Sequence, residues 1–455
     1  MTTKHFYIIL LIISGAMTSC RKYVEVEQYN QRVFKYTSDY QALLNNRTEF
    51  EASGASLTMI SSDDVNLDSN VTKQNLLTNG YDNIYIWAAD YYTSDQSDAG
   101  WDLLYNQIYV CNQITENVMS SENGTTEAKQ KIYAEAQVQR AYSYLTLINL
   151  YARVYNTANA AKDPGVPMLL TTDLFASLTR ASVQQVYDQI LQDLTQALPV
   201  LPSYPANKVH PAKAATYALL ARTYLYMQRY SEAADNASKA LALQSDLLDL
   251  NTYVAGTAYP RRLDNAEVIM AKQFYKPGFL DLPLSQELLN KFSADDLRYQ
   301  LFTRSGTSFQ PAFTGRGSYR DKLFSGDNIT VGVSVPEMML TQAEGLARDG
   351  QTDAAMDLVN ALRQKRFSPA TYVALSAATA DEALHIVLDE RRRELFGTGL
   401  RWFDQRRLSI EPALAETETR TFKGTTYTLV PGDRYVYPIP PKNIEQNPEL
   451  IQNAR

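Results

Sequence analysis

Apolar positions recur at helical spacing along two long stretches of this chain and lapse between them. Trp101, Leu104, Tyr105, Ile108 and Cys111 fall on one stripe, and Val138, Ala141, Tyr142, Leu145 and Ile148 form another, so each stretch predicts an amphipathic helix. "ASVQQVYDQILQDLTQAL" opens with Ser182 three residues before Gln185, the two halves of a capping box, and then lines up Val186, Ile190, Leu194 and Ala197. Pro199, Pro202 and Pro205 end it. Two later segments repeat each other: "LARTYLYMQRYSEAADNASKAL" (220–241) and "QAEGLARDGQTDAAMDLVNALR" (342–363) both read as helix, polar turn, Ala-rich helix. Ser231-Glu232-Ala233-Ala234 aligns with Thr352-Asp353-Ala354-Ala355. Small alanines at a helix crossing, a hydroxyl cap and an acid in the first turn are the mechanics of tetratricopeptide-type hairpins, which bury their apolar faces only by stacking.

Periodicity is absent from "SSDDVNLDSN" (61–70) onward to residue 98, and again from about 250 to 330, where "YVAGTAYPRRL", "FYKPGFLDLP" and "SGTSFQPAFTGRGSYRDK" collect Gly, Pro, Ser and aromatic residues. A loop-rich insert of that length in a helical scaffold points to function. The end, "TFKGTTYTLVPGDRYVYPIP", predicts two short strands across a Pro-Gly-Asp turn and a Pro-rich tail.

Composition narrows the function classes. An apolar fraction of 45% against 20% charged residues is globular, and a net charge of −7 with pI near 5.3 speaks against nucleic acid as the partner. Tyrosine is abundant at 31 residues against three tryptophans, a bias toward flat rings with polar tips. The first 19 residues predict an export signal: Lys4, the apolar run "FYIILLII" (6–13), then small residues leading to Cys20. No later stretch is apolar enough to span a bilayer. The only other cysteine, Cys111, sits on a helical stripe and reads as core.

Enzymatic motifs are missing. His210 and His385 are far apart and belong to no metal pattern, and there is no GxSxG elbow, phosphate loop or dinucleotide fingerprint. Asp64, Asn66, Asp68 and Asn70 alternate as in a calcium loop but lack its glycine and terminal glutamate, so a solvated loop is expected, with no metal and no cofactor. The densest charge lies in "ERRRELFGTGLRWFDQRR" (390–407), with six arginines and a local excess of +3. It divides at Gly397 and Gly399 into a helix over 381–396 and another over 400–408. Glu390 neutralises Arg393 three residues on, Asp404 reaches Arg401 and Arg407, and Trp402-Phe403 wedge into core. A structural knot is therefore expected rather than a polyanion strip.

Several of these stretches, in order, resemble the SusD/RagB family of outer-membrane lipoproteins: "CRKYVEVEQ", "WDLLYNQIYVCNQITENV", "AEAQVQRAYSYLTLINLYARV", "GVPMLL", "ERRRELFGTGLRWFDQRRL" and "YPIPPKNIEQNPELIQN". The resemblance implies a mostly α fold: four tetratricopeptide-like hairpins, mainly in 97–249 and 333–410, with irregular ligand-binding regions at about 41–96 and 250–332. A C-terminal hairpin and tail over 420–455 completes a single body running from residue 20. It also implies lipidation at Cys20, exposure on the outer-membrane surface, and capture of oligosaccharide for a partner SusC-like TonB-dependent transporter beneath a hinged lid. No catalysis is implied. Within the irregular regions the candidate ligand contacts are Asp63, Asp64, Tyr81 and Trp87, and Tyr275, Tyr319 and Arg320, with loop packing as the alternative for each. Trp87 is the one tryptophan outside the family's structural motifs, which is few for a long α-glucan. Peptide capture on the same architecture is the nearest alternative; a glycosidase and a protein-binding adaptor are others.

Overall fold

Ten helices of the scaffold and four two-stranded ladders are used below to place the site; the computed structural model describes residues 34–275, 281–320 and 330–455, so the expected signal and Cys20 lie outside it. Asp98 caps α1 (Ala99–Asn117) by accepting from Gly100 N at 2.7 Å, and Thr125 caps α2 (Thr126–Tyr151) through Ala128 N. The capping box of α3 (Val183–Ala197) forms as its sequence predicts, Ser182 and Gln185 each bonding the other's backbone N–H. Then come α4 (Lys213–Tyr226), α5 (Tyr230–Leu243), the short α6 (Leu297–Phe302), α7 (Val335–Arg348), α8 (Thr352–Gln364), α9 (Ala380–Leu395) and α10 (Leu400–Leu408). α2 packs between α1 and α3, α3 touches α4, α4 packs on α5, and α7 on α5, α8 and α9, giving a continuous chain of packed helices. The protein is mostly α-helical, and no described helix is long and apolar enough to cross a membrane.

The repeat is real, but its register is shifted by one residue from the alignment of the two segments. Gln228 (φ 59°) and Gly350 (φ 77°) occupy equivalent turns, which matches buried Ala233 with Ala355. The caps also differ from expectation: Arg229 and Gln351 hold the N-cap positions and neither caps with its side chain. Stability at this crossing comes from contact instead. A Cβ on Gly345 of α7 would lie 2.6 Å from the Ala234 methyl and from Tyr230 O, so α5 and α7 approach at glycine-on-alanine distance.

α2 was expected to present one apolar stripe, yet residues 134–151 are buried on every side. Its polar residues explain how: Arg140 forks onto Asp193 of α3 (2.8 and 2.9 Å), Tyr142 donates to Ser53, and Gln139 accepts from Lys272 at 2.8 Å. The last two partners belong to the irregular regions, which therefore cover the face that a lone amphipathic helix leaves wet. Cys111 is fully buried on α1, and burial pushes its thiol up to about 12, which suits an inert core residue.

The irregular regions are not loops throughout. Residues 41–96 fold as turns of helix four to six residues long (Arg47–Phe50, Thr58–Ser61, Val71–Leu76, Tyr81–Tyr85), too short to show periodicity. Parallel β1 (Ala52–Ser53) and β4 (Gln273–Phe274) join this region to the mid-chain insert; β2 (Pro164–Pro167) and β3 (Arg180–Ser182) pair beside α3; β5 (Thr303–Ser305) and β6 (Arg316–Ser318) form a hairpin inside the insert. The C-terminal hairpin, β7 (Glu418–Phe422) and β8 (Thr425–Leu429), turns at Lys423-Gly424 rather than at Pro-Gly-Asp. Both turn residues are left-handed (φ 49° and 83°), the two-residue geometry that matches strand twist, whereas Asp433 begins a 3₁₀ turn.

Candidate functional site

The two irregular regions, about two hundred residues apart in sequence, are laced into one layer. Tyr275 N donates to Ser53 O (3.1 Å), Asn66 N to Pro283 O (3.1 Å) and Ser285 N to Asp64 O (2.8 Å), while Thr314 N donates to the Asn70 side chain at 3.1 Å; within the insert, Leu284 N donates to Arg316 O (2.8 Å). The Asp64-to-Asn70 stretch is thus a bolt and not the solvated loop expected: Asp68 accepts from Thr421 N and Asn66 from Asp68 N.

Three of the sequence-predicted contacts lie inside this layer. Asp63 (5% exposed) receives a two-pronged bond from Arg401 (2.8 and 2.7 Å) and pairs with Arg392 at 3.0 Å; Asp64 (4%) pairs with Arg392 Nε at 3.0 Å. Burial raises the Asp63 carboxyl, and the Arg401 and Arg392 guanidiniums outweigh it and hold it below the usual range. Asp64 goes the other way, pushed up to about 6 by burial and by Asp63 despite Arg392. Trp87 is 3% exposed, in left-handed backbone (φ 53°), donating its indole N–H to Ser61 O at 2.9 Å beneath the Arg420 guanidinium at 4.2 Å. Arg420 in turn bonds the carbonyls of Ile60, Ser61, Ser62 and Tyr85. The reading of Asp63, Asp64 and Trp87 as open ligand contacts is corrected: each is a brace, because buried carboxylates hold arginines and the indole has no free face.

The arginine-rich stretch is a knot of longer reach than its local spacing predicts. Arg393 does pair with Glu390 (2.7 Å) and Arg407 with Asp404 (2.8 Å), but Arg401 goes to Asp63 and Arg391 takes Asp404 (2.8 Å). Glu390 and Glu394 also hold Arg298 at 2.7 and 2.9 Å, Glu394 holds Arg366, and Arg407 reaches Glu344. Gly397 and Gly399 turn the chain at φ 73° and 78°, and Trp402 is fully buried. Asp63, Glu416 and Glu418 bring carboxylate oxygens within 4.8 Å of one another, but Arg401 bonds two of them and supplies the positive charge there. Burial, with Asp63 and Glu287 nearby, pushes Glu418 up to about 7.

The remaining candidates sit nearer the surface, and the structure does not gather all of them. Tyr81 packs partly buried against the main core, and Tyr275 is half-buried on the β4 edge. Tyr319 and Arg320 follow β6, where Tyr319 N closes the hairpin onto Phe302 O at 2.7 Å. Arg320 stacks on Phe302 (4.6 Å) and Phe396 (5.6 Å), donates to Glu394 O, and lines a cavity of about 60 Å³ with Tyr259, Glu267 and Thr330.

Three half-buried neighbours escaped the sequence reading. Arg304 lies over the Tyr319 ring at 4.8 Å and Arg316 over the Tyr299 ring at 4.3 Å. Both guanidiniums bond the same acceptor, Thr303 O, at 3.0 and 3.1 Å. The signal was available: residues 299–320 hold three arginines and no acidic residue in a chain of net charge −7.

Comparison with known proteins agrees with this architecture. Residues 22–225 match a SusD-like family described as starch-binding and associating with the outer membrane, and residues 335–455 match the SusD family. A curated relative, SusD-like protein P38 of Formosa agariphila, is 23% identical over 426 residues, covering 78% of this chain and 79% of that one. A SusD superfamily protein from Bacteroides thetaiotaomicron superposes with a TM-score of 0.74 at 21% identity, over 92% of this chain and 100% of that one. A putative sugar binding protein from Bacteroides vulgatus gives 0.72, again at 21% identity, over 93% and 99%. The solved structures share the fold, and the two family matches point to a carbohydrate-binding, non-catalytic family. The helical scaffold, the laced irregular layer, the arginine knot and the two family matches together place this chain in the SusD/RagB family.

Proposed function

We propose that this protein is a cell-surface lipoprotein, anchored through Cys20, that captures oligosaccharide and delivers it to a SusC-like TonB-dependent outer-membrane transporter while acting as a hinged lid. The observation that carries the reading is the irregular layer, in which helix α6 and the following hairpin β5–β6 offer half-buried Tyr299, Arg304, Arg316, Tyr319 and Arg320 on a rigid helical support. Recognition needs polar side chains held in fixed directions beside apolar surface, and stacked arginine–tyrosine pairs provide both. Tyr275 and Tyr81 remain candidate contacts elsewhere in the irregular layer. Glycan-array screening followed by calorimetry on the soluble form beginning after Cys20 tests the binding step. Saturable oligosaccharide binding is expected; binding of peptides in its place would move the same uptake role to peptide. Co-purification of a large outer-membrane barrel with the lipidated protein tests the transporter pairing, and recovery of the lipoprotein alone from gently solubilised membranes would contradict it.

A further inference from the structure

We infer that the oligosaccharide taken at hairpin β5–β6 is acidic, carrying a carboxylate or sulfate that Arg304 and Arg316 clamp together; this rests on the glycan-capture reading above. The two side chains leave opposite faces of the hairpin, since Arg304 pairs with Gly317 and Arg316 with Ser305, yet their guanidiniums meet at Thr303 O. Arg304 also caps the last turn of α6 through Gln300 O and Leu301 O, and Arg316 does so through Tyr299 O (3.3 Å) and Thr303 Oγ1 (2.7 Å). Among the described residues neither pairs with a carboxylate. Their contacts there are carbonyls, hydroxyls and rings, so among the described residues two like charges stand side by side without an acidic partner.

A cap alone explains one cation at a helix C-terminus, and two sharing one carbonyl exceed it. The tyrosine rings point to the same ligand. Tyr319 has Arg304 on one side and the Phe309 ring in edge contact at 6.3 Å; Tyr299 has Arg316 and Phe292. The rings hold the guanidinium planes in place, and charge is what the hairpin turns outward. Arg304 keeps Nε and Nη2, and Arg316 keeps Nη1, without a hydrogen-bond partner among the described residues. Planar forks of N–H donors beside a sugar-compatible apolar surface fit an oxyanion borne on a sugar ring.

The test is calorimetry on the full mature protein in soluble form with three probes of matched length: oligogalacturonate, a sulfated galactan oligosaccharide and a neutral galacto-oligosaccharide. An acidic probe is expected to bind about tenfold or more tightly than the neutral one, the size of one charge-assisted hydrogen bond, with the advantage shrinking at high salt. Whichever acidic probe wins names the oxyanion. Arg304→Gln with Arg316→Gln should bring acidic binding down to the neutral level; Arg304→Lys, which keeps the charge and loses the fork, should fall between, and thermal melting confirms that each variant is folded. Equal affinity for neutral and acidic probes, or acidic binding that survives the folded double variant, would overturn the inference and leave glycan capture standing. Binding of none of these sugars nor of any array glycan would overturn both.

Discussion

Arginines crowd two places in this molecule, and the two are built in opposite ways. In the knot between α9 and α10, most guanidiniums meet buried carboxylates: Arg298 is fully buried and bonds Asp296, Glu390 and Glu394, and Arg407 forks onto Glu344, while Arg406 alone of the stretch is held by the carbonyls of Asn149 and Ala152. On hairpin β5–β6 they meet rings and carbonyls, stay half-exposed, and keep donors to spare. The number of arginines therefore says little about binding, and what each is paired with says more. Charge that is already neutralised in the interior has no reason to seek a ligand; charge held upright by tyrosine does.

Breaking the knot should have the largest effect. Arg298→Met leaves three buried carboxylates short of a partner and should cost about 3–5 kcal/mol, read as a fall in the denaturation midpoint, with ligand affinity per folded molecule unchanged. Trp87→Ala should cost a similar ~3–5 kcal/mol, because it empties a core site and removes the ring beneath Arg420. A Trp87→Ala protein of normal stability and weakened binding would return that residue to the ligand.

Acid should dissolve the same region. Burial opposes ionisation of Glu390, but Arg298, Arg393 and Arg363 hold its carboxyl down at about 2. A carboxylate whose folded value lies below its unfolded one stabilises above the unfolded value and loses that contribution as pH falls, here between about 4.5 and 2, amounting to about 3 kcal/mol. Glu418, raised to about 7, has the opposite sign: stability from that group grows as pH falls from 7 toward 4.5. Melting curves should therefore hold up through mild acid and collapse below pH ~4.5, and Glu390→Gln should flatten the collapse. The smallest stability effect is expected on the hairpin: Arg304→Gln loses a helix-end contact worth about 0.3–1 kcal/mol while binding suffers.

Much of this was legible in the chain. The long helices, the Ser182–Gln185 box and the glycine break at 397–399 depend on neighbours within a few residues, and each appears where the sequence puts it, although α2 is buried all round and not along one stripe. The family motifs and the structural nature of the 390–407 stretch were readable for the same reason. The partners were not. Nothing near Arg401 in sequence points to Asp63, and nothing near Trp87 points to Arg420, since those contacts arise only once the C-terminal third folds back over the first irregular region. Aromatic and acidic residues in a long loop looked like a binding surface because loop burial has no period. The hairpin is marked by charge without acidic partners rather than by rings: Tyr319 and Arg320 stand out in the loop sequence, while Arg304 and Arg316, whose donors lack partners among the described residues, carry no local motif.

The most direct test sets one arginine from each place side by side. Melting temperature and oligosaccharide affinity are measured for Arg393→Ala, which loses its Glu390 pair at 2.7 Å, and for Arg304→Gln combined with Arg316→Gln. The account predicts that the knot variant melts lower and binds as the parent does, while the hairpin variant melts near the parent and loses binding. A knot variant that keeps its stability and loses the ligand, beside a hairpin variant that still binds, would contradict it.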